Sequence, residues 1–109
     1  MPDTLNPPVF HILLALSERA LHGLGIADQV EAATEGSVEL GPGTLYRSLK
    51  QMTAAGLIRE VEAPEADADP RRRYYALTER GRRVAAEEAE RLERIVGVAR
   101  ARNLLPRRA

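Results

Sequence analysis

The sequence predicts a mainly α domain with a small β-hairpin, on three observations. Apolar residues recur with a helical period in four separate stretches. Branched and aromatic residues take over in 57–62 and 71–77. Gly, Pro, Asp and Ser gather between these runs. A length of 109 residues suits one domain, and 44% hydrophobic residues suffice for a compact core.

Taken in order, residues 1–8 read as a loose arm containing Pro2, Pro7 and Pro8, the last two suited to a helix start. Helix one follows from Val9 to Leu16, with Val9, Ile12, Leu13 and Leu16 on one face. Ser17 to Gly23 reads as a connection. Helix two runs from Gly23 or Leu24 to Thr34, with Ile26, Val30 and Ala33 inward and Gly36 as its stop. Ser37 to Gly43 then turns the chain into helix three.

Helix three, over 42–55, organises the rest. Pro42 at its entrance has φ pre-set and loses no needed donor. Leu45, Leu49 and Met52 recur at i, i+4 and i+7, which makes one face apolar. The opposite face carries Thr44, Tyr46, Arg47, Lys50 and Gln51, and Gly56 follows as the C′ residue. Two short helices joined by a Gly-containing turn, the second with a polar cationic face, match a helix-turn-helix.

Leu57 to Glu62 reads as a strand, Ala63 to Pro70 as a polar loop, and Arg71 to Leu77 as a second strand. This hairpin would stand beside helix three as a wing. Thr78 is a suitable N-cap for the last helix, with Glu79 in its first turn where the dipole favours an anion. That helix reaches about Arg102, supported by Glu87–Arg91 and Glu90–Arg94 spacings. It is longer than a small core can cover, so Leu92, Ile95, Val96 and Ala99 are expected to be exposed and to pair in a homodimer. The expected architecture is a winged helix-turn-helix over residues 1–78, followed by a dimerisation helix and tail over 79–109.

Net charge is zero, but its distribution is uneven. Residues 1–40 hold only Arg19 against six acids, whereas residues 70–109 hold twelve arginines against five glutamates. A neutral protein can therefore present a basic surface. With no cysteine, disulfides and thiolate metal sites are excluded. His11 and His22 stand eleven positions apart and do not make a metal site; His22 is better placed to cap or hydrogen-bond the turn before helix two. No cofactor is expected. Gly23-Leu24-Gly25 and Gly41-Pro42-Gly43 follow no strand and lack the lysine of a phosphate loop, and no Ser/His/Asp arrangement has supporting context. The chain is not expected to be an enzyme. Without a long apolar run or a basic-then-apolar N-terminus, no membrane span or signal peptide is expected, and a cytoplasmic location follows.

Several stretches, in this order and spacing, resemble the PadR-like winged-helix transcriptional regulators. They are His11-Ile12-Leu13-Leu14-Ala15-Leu16, Leu21-His22-Gly23-Leu24-Gly25-Ile26, Leu40 to Leu49, Gly56-Leu57-Ile58 and Arg71 to Gly81. The resemblance extends from about Phe10 to Leu105. Leu24 departs from it, standing where the family often has an aromatic, and the C-terminal region is short. The resemblance implies a dimeric repressor that binds double-stranded DNA at an operator. Helix three would enter the major groove and the wing would lie on the backbone or minor groove, with half-sites about 34 Å apart. It also raises a small-molecule effector near the dimer interface. With no Trp, and Phe10, Tyr46, Tyr74 and Tyr75 as the aromatics, a stacking pocket is poorly furnished. A winged-helix module that binds protein through the same surface is the competing reading.

The DNA-facing candidates are Gly43, Thr44, Tyr46, Arg47, Lys50, Arg71 and Arg72. Arg and Lys can donate to guanine or phosphate, while Thr and Tyr hydroxyls mostly position the protein on phosphates. Tyr46 admits a second role, packing its ring against the wing. Gly43 would let a backbone N–H approach a phosphate, or simply serve a tight turn. Arg73 shares a strand face with Tyr75 and Leu77, where a carboxylate can hold it. The acidic tip, with Glu65, Asp67 and Asp69, opposes close phosphate approach. Tyr74 and Tyr75 suit hairpin packing better than base stacking.

Overall fold

The chain forms α1 (Pro7–Ala15), β1 (Leu21–His22), α2 (Gly23–Ala33), α3 (Pro42–Ala54), β2 (Ile58–Val61), β3 (Tyr74–Leu77) and α4 (Glu79–Ala101). The structure, a computed structural model, describes residues 6–67 and 69–106. Among the described residues, three of the four helices begin where a side chain can satisfy a first-turn N–H. Asn6 Oδ1 accepts from Val9 N–H at 3.4 Å, and Pro7 and Pro8 fill the first helical positions of α1. The helix thus takes in two residues assigned to the arm, whose residues 1–5 lie outside the described residues. His22 Nδ1 accepts from Gly25 N–H at 3.1 Å and starts α2. Thr78 Oγ1 does the same for Gly81 N–H at 3.0 Å and starts α4. Only α3 begins after a residue with no side chain to cap it, Gly41.

One core holds these elements together. Ile12, Leu13 and Leu16 of the first helical segment meet Ile26 and Val30 of α2, Leu45, Leu49 and Met52 of α3, and Leu57 and Ile58 after it. The inward positions expected from helical periodicity are these residues, apart from Val9, which is half-buried against the core, and Ala33. Ala33 is exposed, because α2 unwinds there through Glu35 (φ 52) and Gly36 (φ 81). Thr34 stabilises this exit, donating to the Val30 carbonyl at 2.8 Å and accepting from Val38 N–H at 3.1 Å.

The sheet has three strands, not the two of the expected hairpin. Its order is β1-β3-β2, both pairs antiparallel, with Leu21 opposite Tyr75 and Glu60 also opposite Tyr75 from the other side. The connection expected over 17–23 therefore contains an edge strand. It is two residues long, too short for alternation to reveal, and Gly23-Leu24-Gly25 therefore does follow a strand, though without the lysine of a phosphate loop. Strand β3 starts at Tyr74, so Arg71, Arg72 and Arg73 lie in the approach to the strand rather than within it.

A clamp joins the end of α3 to the start of α4. Gly56 is left-handed (φ 77), as a C′ residue should be. Thr78 Oγ1 donates to the Gly56 carbonyl at 2.6 Å, and Thr78 N–H donates to the Leu57 carbonyl at 3.1 Å. Gly81 is buried against Leu57, and a Cβ at Gly81 would run into the Leu57 carbonyl oxygen. Further along, Val84 and Ala85 pack against the core. Arg82 ties the helix to the end of α1 by donating to the Ser17 carbonyl at 3.0 Å. Arg91 turns to Glu88, not to Glu87, in a two-pronged ion pair at 2.9 and 2.6 Å, with Glu88 buried. The guanidinium of Arg91 is accordingly held above its ordinary pKa by the Glu88 carboxylate.

Candidate nucleic-acid interface

Helix α3 separates its two faces cleanly. Leu45, Ser48, Leu49 and Met52 are buried, whereas Tyr46, Arg47 and Lys50 are exposed. Thr44, in the first turn, is half-buried, and Gly43 is exposed. The cations point outward because the apolar residues behind them occupy the core, and rotating the helix to hide them would expose three large side chains. A Cβ at Gly41 or Gly43 would meet nothing within 4 Å. The protein itself thus has no steric need for glycine at the start of α3.

Tyr46 links α3 to its neighbours. Its hydroxyl lies 3.1 Å from where a Cβ on Gly23 would stand, so the ring covers the start of α2. The side chain is still 58% exposed. The contact seen is with Gly23 of α2, whereas the packing role expected for this ring is against the wing. Tyr46 also borders a cleft of about 550 Å³ between the start of α2 and the wing, which includes His22, Leu24, Arg71 and Tyr75. On its other side a shallower groove runs between α3 and the wing past Lys50, Glu60 and Arg73. Burial pushes the Tyr75 hydroxyl above its usual pKa.

The wing carries its cations differently. Arg71 and Arg72 are exposed but engaged. Arg71 donates through Nε and Nη2 to the two carboxylate oxygens of Asp69, at 3.2 and 3.3 Å. Arg72 Nη1 lies 3.5 Å from Asp67 Oδ2, and its Nε lies 4.0 Å from Asp69 Oδ2. Arg73 reaches across to Glu60 at 3.4 Å, the carboxylate partner its strand face called for. The register explains this pair, since Glu60 stands opposite Tyr75 and Arg73 is its diagonal neighbour.

Asp67 is the anchor of the loop. Its Oδ2 accepts from the Tyr74 hydroxyl at 2.7 Å and its Oδ1 from Asp69 N–H at 3.0 Å. Tyr74 also stands edge-on to His22, with ring centroids 5.2 Å apart. The Asp69 N–H and the Tyr74 hydroxyl hold the Asp67 carboxyl below its ordinary pKa of 3.8, and the same bond raises the Tyr74 hydroxyl. A carboxylate with a lowered pKa contributes stability that is present above its unfolded value and lost as pH falls through its folded one. Protection of the Tyr74 amide from hydrogen exchange should thus hold from neutral pH down to about 4 and fall below it. In Asp67→Asn that acid-dependent step should vanish; its persistence would assign it to another carboxylate.

On α4, Ile95 and Val96 are exposed, Leu92 and Ala99 half-buried. Periodicity missed three further apolar residues at this end, the exposed Val98, Leu104 and Leu105. Val98 falls outside the stripe of Leu92, Ile95, Val96 and Ala99, and the two leucines lie beyond the helix. They follow a left-handed Asn103 (φ 65), and Arg100 Nε donates to the Pro106 carbonyl at 3.1 Å and fastens this turn.

Among the described residues no helix is long and apolar enough to cross a membrane, and no cluster of three or more His, Cys, Asp or Glu could hold a metal ion. Comparison with known proteins supplies the lineage. A PadR family transcription regulator from Clostridium difficile R20291 has the same fold, with a TM-score of 0.75 and 29% identity over 88% of this chain and 97% of that one. Bacillus subtilis PadR, solved in complex with operator DNA, matches with a TM-score of 0.65 and 20% identity over 75% of this chain and 46% of that one. A 37.1 kDa protein of transposon Tn4556 from Streptomyces fradiae is 34% identical over 86 residues, which is 79% of this chain; the chain spans 23% of that relative's length. The family model of the PadR-like transcriptional regulators matches residues 12–87, from the core of α1 through the first turns of α4. With the motifs, the three-stranded sheet and the exposed face of α3 agreeing with that match, this chain belongs to the PadR-like family of transcriptional regulators.

Proposed function

We propose that the protein is a dimeric, cytoplasmic, sequence-specific DNA-binding repressor that inserts α3 into the major groove. The observation that carries this reading is the division of α3, with Arg47 and Lys50 exposed while Leu45, Leu49 and Met52 are locked in the core. Gly43 supports it: the residue is exposed and its side-chain position is open, which leaves room for a phosphate beside the start of α3. That Bacillus subtilis PadR, which shares the fold, has been solved in complex with operator DNA fits a DNA-binding role. In this reading Thr44 and Tyr46 position the helix and Arg47 and Lys50 contact bases or phosphates, while Arg71 and Arg72, paired with Asp69 and Asp67, contribute to backbone contact only as far as those pairs open. Residues 79–109 pair two protomers through Leu92, Ile95, Val96 and Ala99, so that residues 1–78 of each read one half-site.

Footprinting on DNA flanking the gene, followed by titration at several salt concentrations, tests the proposal. Affinity should fall steeply as salt rises, because each neutralised phosphate releases counterions. Arg47→Ala should weaken operator binding by about 1–3 kcal/mol and relax preference at one base position in a competition assay. Loss of binding on Arg47→Ala with no salt slope would instead identify this face as a protein-docking surface.

A further inference from the structure

The wing presents a contradiction for a DNA reader: Arg71 and Arg72, the two arginines expected to meet phosphate, are held by aspartates of their own loop. We infer that Asp69 is an internal competitor for DNA phosphate, which keeps Arg71 out of the electrostatic part of binding. The inference rests on the DNA-binding reading above and assigns Asp69 a role in setting affinity and its salt dependence.

The two aspartates of the loop do different work. Asp67 has a side chain 7% exposed and is consumed by the Tyr74 hydroxyl, the Asp69 N–H and Arg72, so it belongs to the wing's own construction. Asp69 is more open at 30%, and Arg71, which it grips with both oxygens, is 89% exposed. Asp69 Oδ1 also accepts from Arg71 N–H at 2.9 Å, closing a turn that points carboxylate and guanidinium at each other. Arg71 holds the Asp69 carboxyl below the usual carboxylate range, so it is ionised at neutral pH.

The consequence follows from counting ions. An arginine with no partner that neutralises a phosphate releases a condensed cation, and affinity then depends on salt with a slope of about −0.9 per contact. Arg71 starts from a pair. When it turns to a phosphate it leaves an ionised carboxylate within a few ångströms of the DNA, and that carboxylate needs a cation in its place. Little net release remains, and Asp69 repels the strand as well. The exchange is feasible because an exposed ion pair of this kind is weak, but it adds little affinity. Asparagine at position 69 would keep the Oδ1 acceptor for Arg71 N–H and remove only the charge, so the turn survives the substitution.

The experiment is fluorescence anisotropy on labelled mixed-sequence duplex DNA over about 50 to 200 mM salt, a range in which phosphate contacts dominate. Asp69→Asn should bind more tightly than the native chain at low salt, with a slope steeper by about 0.9 for each arginine released. Glu65→Gln, which removes an exposed charge of the same loop that takes part in none of these pairs, should leave the slope unchanged. Arg71→Ala in the otherwise native chain should barely alter it. The inference is overturned if Asp69→Asn leaves affinity and slope as they were, if Glu65→Gln reproduces the gain, or if Arg71→Ala alone flattens the slope by a full contact. Native protein with no salt-dependent DNA binding would remove the DNA reading itself, and this inference with it; a native slope unaltered in Asp69→Asn removes the inference alone.

Discussion

Gly81→Ala is expected to destabilise the domain by about 2–3 kcal/mol, a drop of roughly 10 °C or more in melting temperature. Helix propensity by itself argues the other way, since alanine is favoured over glycine in a helix interior by about 1 kcal/mol. The close approach of α4 to the chain after α3 decides the sign. A Cβ at Gly81 would collide with the Leu57 carbonyl oxygen and stand 3.0 Å from its carbon. Neither atom is the end of a flexible side chain, so no rotamer change relieves the contact. The same carbonyl accepts from Thr78 N–H, and Thr78 also holds the Gly56 carbonyl. Relief therefore means opening the clamp that sets α3 and α4 against each other. Gly97, in the same helix, meets nothing within 4 Å, so Gly97→Ala should stabilise by about 0.5–1 kcal/mol. Thermal melts of the two variants should move in opposite directions. If both rise, the packing of α4 on Leu57 is looser than described.

What could be read from the sequence divides along a physical line. Periodic burial is a local property, so the inward faces of α1, α2 and α3, the N-cap at Thr78 and the exposed cations of α3 were all legible there. Properties that depend on distant partners were not. Strand β1 is a strand only because Tyr74 and Tyr75 stand beside Leu21 and His22; alone, two residues carry no alternation. His22 is legible at the turn, yet its edge-on contact with Tyr74 needs the sheet. The acidic tip can be read in the sequence as opposing phosphate, but not its pairing, residue by residue, with the arginines behind it. Spacing offered Arg91 the i−4 partner Glu87, and the helix used Glu88 because that carboxylate is the buried one. Gly81 closes one of the stretches that resemble the family, but its packing was not legible: a glycine in a helix's first turn acquires a steric meaning only when the neighbour it touches is known.

Leu92→Asp combined with Ile95→Asp is expected to convert the protein to monomers in light scattering and to lower operator affinity by about 10²–10⁴-fold. Ile95 is 51% exposed, and Val96, Val98, Leu104 and Leu105 are exposed around the same end of the molecule. An apolar surface of this kind stays in water only at a cost that a second copy removes. Two carboxylates on that surface would have to be buried without partners for the pair to form, which forbids association. The core lies at the other end of α4, where Val84 and Ala85 pack and Arg82 grips α1, so each monomer should keep its fold and melt as a folded domain. The loss of affinity then has one cause. In a dimer the second half-site is bound at the high effective concentration imposed by the first, whereas in a monomer each half-site must be filled from solution. Half-site binding by α3 should persist with its salt dependence intact. An intact dimer in the double variant would move the pairing surface elsewhere, and monomers that bind the full operator as tightly as the native chain would show that pairing does not serve DNA recognition.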